Sequence, residues 1–206
     1  MSGICYIVGA GRGFLPLEKR SGDLVISADG GYLALRSLGI VPDVHLGDFD
    51  SLDPATALPE GIEILRHPIR KDDTDTALAL RYGMKRGYTE FVILGGTGGR
   101  SDHTFANYQL LLGARKAGAQ IVLVGAEDIT ECLYREERSF RAECGKTLSV
   151  FAFGSDAHGV DILGASYELR DGTLTADNPL GVSNAFVDAP VRIAVRDGAL
   201  LVIREK

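Results

Sequence analysis

Apolar residues in this chain fall first into short unbroken runs and later into a more broken texture. The runs at 4–8, 24–28, 44–46, 62–65, 91–94 and 120–124 are rich in Val, Ile and Leu and short for helices. They predict strands buried on both faces. Between them, Tyr32, Leu35 and Leu38 recur at helical spacing and stop at Gly39. Ala77, Leu80 and Met84 mark a second helix, and Phe105, Tyr108, Leu111 and Leu112 a third that runs to Gly118. Such alternation predicts a parallel sheet with helices on its faces. From about Thr130 the runs at 147–153, 160–163, 166–169, 185–187, 191–195 and 200–203 are short and separated by Gly, Asp, Asn or Pro. That spacing predicts a small all-β sandwich or barrel. The expected fold class is therefore α/β, with a parallel-sheet α/β domain at 1–130 and a small all-β sandwich or barrel domain at 138–206. The boundary falls near residues 126–138, around the charged stretch 131–138, which reads as a solvated face.

Composition narrows the function classes. With 206 residues, 45% of them hydrophobic and 24% charged, the chain can bury a core without staples. A net charge of −6 argues against a nucleic-acid partner, which needs a basic face. Three cysteines without metal-ligand spacing imply neither a disulfide framework nor a zinc site. The first residues enter an apolar run with no basic leader, and no window approaches the ~18 apolar residues of a membrane span. The expectation is a cytoplasmic protein without a membrane partner.

The candidate chemistry is acidic and glycine-rich. Asp48 and Asp50 follow the run 44–46 and stand two residues apart, a spacing that points both to one side of an extended segment. They read either as a solvated acidic turn or as a pair for a hard cation such as Mg²⁺ shared with substrate phosphates. Lys71, Asp72, Asp73 and Asp75 lead into the second helix, where acids complement its exposed amides. Three acids beside a lysine exceed what capping needs. After the run 91–94 come four glycines within five residues and then Arg100, Ser101, Asp102 and His103. Such a loop lets backbone amides approach a phosphate, and an arginine can grip two of its oxygens. The earlier loop at 9–13 lacks the G-x-G-x-x-G spacing and reads as a plain turn. His45, inside an apolar run, reads as a core histidine; His67 and His158 read as loop and surface residues. In a parallel sheet these acids and the loop share one edge. That describes a Mg²⁺-dependent nucleotide enzyme, outside the Walker-loop and protein-kinase motifs.

In order, Ala28-Asp29-Gly30-Gly31, Gly47-Asp48-Phe49-Asp50-Ser51, Lys71-Asp72-Asp73-Thr74-Asp75, Gly95 to His103 with Asn107, and Gly181-Val182-Ser183-Asn184 resemble the thiamine pyrophosphokinase family across nearly the whole chain. The resemblance implies pyrophosphoryl transfer from ATP to the hydroxyethyl oxygen of thiamine by a homodimer with active sites at the subunit interface. It implies Mg²⁺ on Asp48, Asp50 and Asp75, the nucleotide near Asp29, Gly30, Lys71, Gly96, Arg100, Asp102 and His103, and substrate near Asp72, Ser183 and Asn184. Asp48, Asp50, Asp75 and Asp102 are the implied catalytic set. Many members place a tryptophan against the thiamine rings. This chain has no Trp, which leaves Phe186 or Tyr134 as an aromatic face, each also suited to the core. A related pyrophosphokinase on another primary alcohol, such as a pterin, and a non-catalytic nucleotide- or thiamine-sensing module are the alternatives.

Overall fold

The computed structural model describes residues 3–12, 17–47, 58–66 and 73–206. The chain divides into one unit of residues 1–107 with 118–126, and a second of 108–117 with 127–206. The first unit contains β1 (Ile4–Val8), β2 (Leu24–Ala28), α1 (Gly31–Ser37), β3 (Val44–Gly47), β4 (Glu63–Arg66), α2 (Asp75–Lys85), β5 (Glu90–Leu94), the start of α3 (Ser101–Lys116) and β6 (Gln120–Val124). Its strands pair in parallel in the order β6-β5-β1-β2-β3-β4.

Every residue of β2 and of β3 is buried, which is why their sequences read as apolar runs. Successive side chains leave β1 on opposite sides. Val8 joins Val25, Leu94 and Val124 in a cluster with Leu35 of α1. Cys5 lies on the other side, beneath α2, where a Cβ on Gly83 would come within 2.8 Å of its Sγ. The close approach of α2 to the sheet therefore requires glycine at 83. β4 is the exposed edge, with Ile64 44% exposed.

The order carries the functional consequence. The chain steps outward from β1 to β4, then returns through α2 to place β5 on the other side of β1. The loops after β1 and β5 therefore leave the sheet at the point where the strand order reverses. Open α/β sheets bind ligands at the carboxyl ends of strands at such a point.

The second unit comprises β7 (Asp128–Tyr134), β8 (Glu137–Phe140), β9 (Thr147–Ala152), β10 (Ala157–Leu163), β11 (Leu169–Leu174), β12 (Asn184–Ala185), β13 (Val191–Asp197) and β14 (Ala199–Glu205). They form antiparallel sheets ordered β12-β9-β14-β7 and β11-β10-β13-β8. Leu133, Leu148, Val150 and Leu200 from the first meet Phe140, Ile162 and Ile193 from the second in one core. This is a β-sandwich. The segment 131–138 is not a solvated face: Glu131 is only 6% exposed. It pairs with Arg138 and, at 3.5 Å, with Arg204. Partners from β8 and β14 supply the counter-charge that a buried carboxylate requires. We predict that Glu131→Leu, which takes the buried carboxylate from Arg138 and leaves Arg204 only its 3.3 Å pair with Glu143, lowers unfolding free energy by about 3 kcal/mol. Urea denaturation would read this as a lower midpoint at unchanged slope.

Cys5 and Cys132 are buried, and burial pushes each thiol up to about 12; Cys144 is exposed, and all three are free. No described helix is long and apolar enough to cross a membrane.

Candidate active site

Where the strand order reverses there is a cavity of about 340 Å³, within the range of small-ligand sites. Its floor comes from both glycine loops. The Gly11 amide donates to the Gly95 carbonyl at 2.8 Å, and the Arg12 amide to the Thr97 carbonyl at 2.8 Å. A Cβ on Gly11 would stand 2.2 Å from the Thr97 oxygen, so the two loops meet only because this position is glycine. Residues 9–11 of this loop are thus part of the cavity, not the plain turn their spacing suggests. The signal was its place, directly after a strand adjoining the reversal.

Asn107, 5% exposed, fixes the second loop: its Nδ2 donates to the Gly96 carbonyl at 2.7 Å. Asp29 follows β2 with φ +46°, a left-handed conformation that aspartate tolerates better than most residues. Its amide donates to the Leu46 carbonyl at 2.8 Å. Thr74 caps α2 by accepting from the Ala77 amide at 3.2 Å, which leaves Asp75 in the first turn. Asp29, Asp75, Gly96, Arg100 and His103 all line the cavity, together with Thr74, Thr104 and Asn107. Gly30 precedes α1 as its N-cap, and Asp102 sits in the first turn of α3; neither is among the lining residues.

Two acids are already engaged. Asp73 forms a two-point ion pair with Arg81, whose hydrogen bonds hold its carboxyl below the usual range. It lies before α2, not within its first turn as the acidic pattern suggests. Asp102 pairs with Arg100 at 2.6 Å and accepts from the His103 amide at 2.9 Å; the arginine's hydrogen bond is the main cause of its lowered pKa. Arg100 and Asp102 are 73% and 63% exposed, so this pair is screened by water and contributes little to stability. An incoming phosphate can therefore take the guanidinium over at small cost.

Among the described residues no group of three or more His, Cys, Asp or Glu forms a metal cluster. Asp75 and Asp29 stand at the cavity, an all-oxygen donor set that fits a hard divalent cation. Asp48, Asp50, Lys71 and Asp72, like His67, lie outside the described residues.

The second unit has its own cavity, of about 250 Å³, lined by Ile162, Tyr167, Leu169, Leu174, Leu180 and Val182 with Glu168 and Asn184. Asn184 is 5% exposed. Its Oδ1 accepts from the Tyr167 amide at 3.0 Å, and its Nδ2 donates to the Tyr167 carbonyl at 2.7 Å. The amide of Asn184 therefore holds the backbone that presents Tyr167, whose side is 75% exposed at the cavity. Ser183 has φ +56° and donates its amide to Ser149 Oγ at 3.1 Å; it is not a lining residue. A Cβ on Gly181 would meet the Val150 carbonyl at 1.9 Å, which fixes glycine there.

Neither aromatic singled out in the sequence serves this cavity. Phe186 is 2% exposed within the sandwich core, and the Tyr134 ring is flanked by Lys116 and Arg135 at 5.6 and 5.4 Å. Tyr167 escaped the sequence reading because only the Asn184 hydrogen bonds connect it to the glycine-serine-asparagine motif.

Family models for "Thiamin pyrophosphokinase, catalytic domain" and "Thiamin pyrophosphokinase, vitamin B1 binding domain" match residues 17–123 and 135–200. A thiamine pyrophosphokinase of Bacillus subtilis is 29% identical over 185 residues, 88% of this chain and 86% of that protein. The crystal structure of thiamine pyrophosphokinase from Bacillus subtilis superimposes with a TM-score of 0.86 at 26% identity, covering 98% of this chain and 99% of that one. A thiamin pyrophosphokinase family protein from Enterococcus faecalis shares the fold, with a TM-score of 0.84 at 24% identity over 100% of this chain and 99% of that one. With both parts of the chain matched and the same fold over its length, the protein belongs to the thiamine pyrophosphokinase family and is an enzyme of that class, a transferase of thiamine diphosphate biosynthesis.

Proposed function

We propose that the chain transfers the pyrophosphoryl group of ATP to the hydroxyethyl oxygen of thiamine, with ATP phosphates in the glycine-floored cavity. The observation that carries this reading is the convergence of Asp29, Asp75, Gly96, Arg100 and His103 on that one cavity. Backbone amides and Arg100 bind phosphate oxygens, while Asp48, Asp50 and Asp75 hold Mg²⁺. The ion supplies charge neutralisation on those oxygens. Gly30 and Lys71 complete the nucleotide edge, Asp72 serves the substrate, and Asp102 holds Arg100 until the nucleotide arrives. Thiamine's hydroxyl oxygen gives up its proton to water and bonds to the β-phosphorus as the bond from that phosphorus to the α–β bridging oxygen breaks, and AMP leaves with the bridging oxygen. This chemistry depends on alignment and on balancing charge more than on a covalent enzyme intermediate.

The cavity beside Asn184 takes thiamine in this reading. Its walls are aliphatic, Tyr167 offers an aromatic face, and Glu168 adds one carboxylate. An aromatic face attracts a cation such as the thiazolium ring. That supplies the aromatic partner which the absence of Trp left unassigned, so the missing tryptophan no longer favours a different alcohol. A homodimer acting in the cytoplasm is part of the proposal, with Ser183 on the substrate side.

The test separates the two substrates. Tyr167→Ala is expected to raise KM for thiamine about tenfold through loss of the aromatic contact, with KM for ATP unchanged. Steady-state kinetics varying each substrate in turn reads the difference. An unchanged thiamine KM would remove the second cavity from the thiamine site.

A further inference from the structure

The cavity of the second unit has one charged side chain among the described residues that line it, Glu168. Apart from Tyr167 and the Asn184 amide, its other walls are aliphatic or glycine. Two bonds fix the carboxylate in place. Oε1 accepts from the Gly164 amide at 2.8 Å, and Oε2 accepts from Arg170 at 2.9 Å. The Gly164 bond, and after it the one from Arg170, holds the carboxyl below the usual range. At neutral pH the group is therefore ionised, and the cavity carries a negative charge at a set position.

The ring of the proposed substrate has a charge that hydrogen bonds to its nitrogen cannot read. A quaternary thiazolium nitrogen carries no N–H, so a nearby anion or an aromatic face must sense the charge. Tyr167 and Glu168 supply one of each, and backbone contacts hold both. Asn184 spans the Tyr167 amide and carbonyl, and the Gly164 amide grips the carboxylate. Each carboxylate oxygen has two lone pairs, so these bonds leave room for a further partner. Arg170 is the competitor for that charge. The Arg170 and Glu168 side chains are 69% and 43% exposed, so water screens the pair and the arginine gives way at small cost.

We infer that Glu168 is a specificity-determining residue, whose carboxylate favours a positively charged ring over a neutral ring of the same shape, while Arg170 competes for that carboxylate and limits the preference. The inference rests on the proposed reading of this cavity as the thiamine site. Within that site Tyr167 offers contact to any flat ring, and Glu168 discriminates by charge.

The test compares thiamine with an isostere that has a neutral thiophene ring in place of the thiazolium, at saturating MgATP. Glu168→Gln keeps the shape of the side chain and an acceptor for the Gly164 amide, and removes the charge. Its KM for thiamine should rise about fivefold, the size of a partly screened charge contact. The inhibition constant of the isostere against thiamine should change less than twofold. Arg170→Gln should act in the opposite direction, lowering KM for thiamine about twofold with the isostere unaffected. Added salt should raise the thiamine KM of the parent protein more than that of Glu168→Gln, because only the parent has the charge to be screened. Parallel losses for the two compounds, as a merely structural Gly164 contact would give, overturn the inference. So does a thiamine KM unmoved in Glu168→Gln. Should Glu168→Gln fail to fold, Arg170→Gln decides alone, and an unchanged or raised thiamine KM in it is equally contrary. Tyr167→Ala, run alongside, tells the two readings apart. An unchanged thiamine KM in Tyr167→Ala defeats the reading of the cavity. A raised KM there, beside a thiamine-to-isostere ratio unmoved in Glu168→Gln, defeats only the role of Glu168.

Discussion

Asp75→Asn is expected to lower turnover about a thousandfold at saturating ATP and thiamine, equivalent to about 4 kcal/mol of barrier. The substitution keeps the shape of the side chain and removes its charge. Thr74 still caps α2 through its bond from the Ala77 amide, so the helix start survives. The stability lost with one acid in a first turn is only ~0.3–1 kcal/mol. The large effect falls on charge balance. Asp75 faces a cavity that also takes in Arg100 and the amides of two glycine loops, all of which attract the triphosphate. Without the carboxylate, Mg²⁺ loses one of its three proposed protein ligands, and the concentration needed for half-maximal rate should rise in step. Circular dichroism showing an unchanged fold beside the lost rate separates this from misfolding. Turnover within threefold of the parent would take Asp75 out of the metal site.

Arg100→Ala should reduce kcat/KM for ATP about a hundredfold, the loss expected when one preorganised donor to a charged transition state is removed. Arg100→Lys should recover little of it, because an ammonium cannot span two phosphate oxygens as a guanidinium does. The pairing with Asp102 gives the experiment a second arm. Arg100 holds Asp102 at 2.6 Å while both are exposed to water, so the pair is a resting place for the guanidinium. Asp102→Asn frees it and should leave Arg100 at least as able to bind ATP. Should Asp102→Asn instead lose as much activity as Arg100→Ala, Asp102 has a direct task toward substrate that the ion pair conceals.

The first unit was legible because its physics is local. A strand covered on both faces must be apolar along its whole length, and β2 and β5 announce themselves that way. The loops after them then had to fall at one edge of a parallel sheet. His45 read correctly as a core histidine. What the pattern could not carry was pairing across distance. Asp73 resembles its acidic neighbours in sequence, yet Arg81 engages it. Glu131 looks solvated until arginines from two other strands converge on it. Tyr167 is connected to the substrate motif only by hydrogen bonds that span 17 residues. Arg12 meets Thr97 across the strand reversal, a contact that no spacing rule reports. Asp48 and Asp50, the most legible pair in the chain, lie outside the described residues.

The most direct test of the account is to incubate the purified protein with ATP, Mg²⁺ and thiamine and to quantify nucleotides and thiamine phosphates by chromatography. The account predicts AMP and thiamine diphosphate in equal amounts, with neither formed when thiamine or Mg²⁺ is omitted. ADP as the sole nucleotide product, or no turnover with thiamine present, would contradict it.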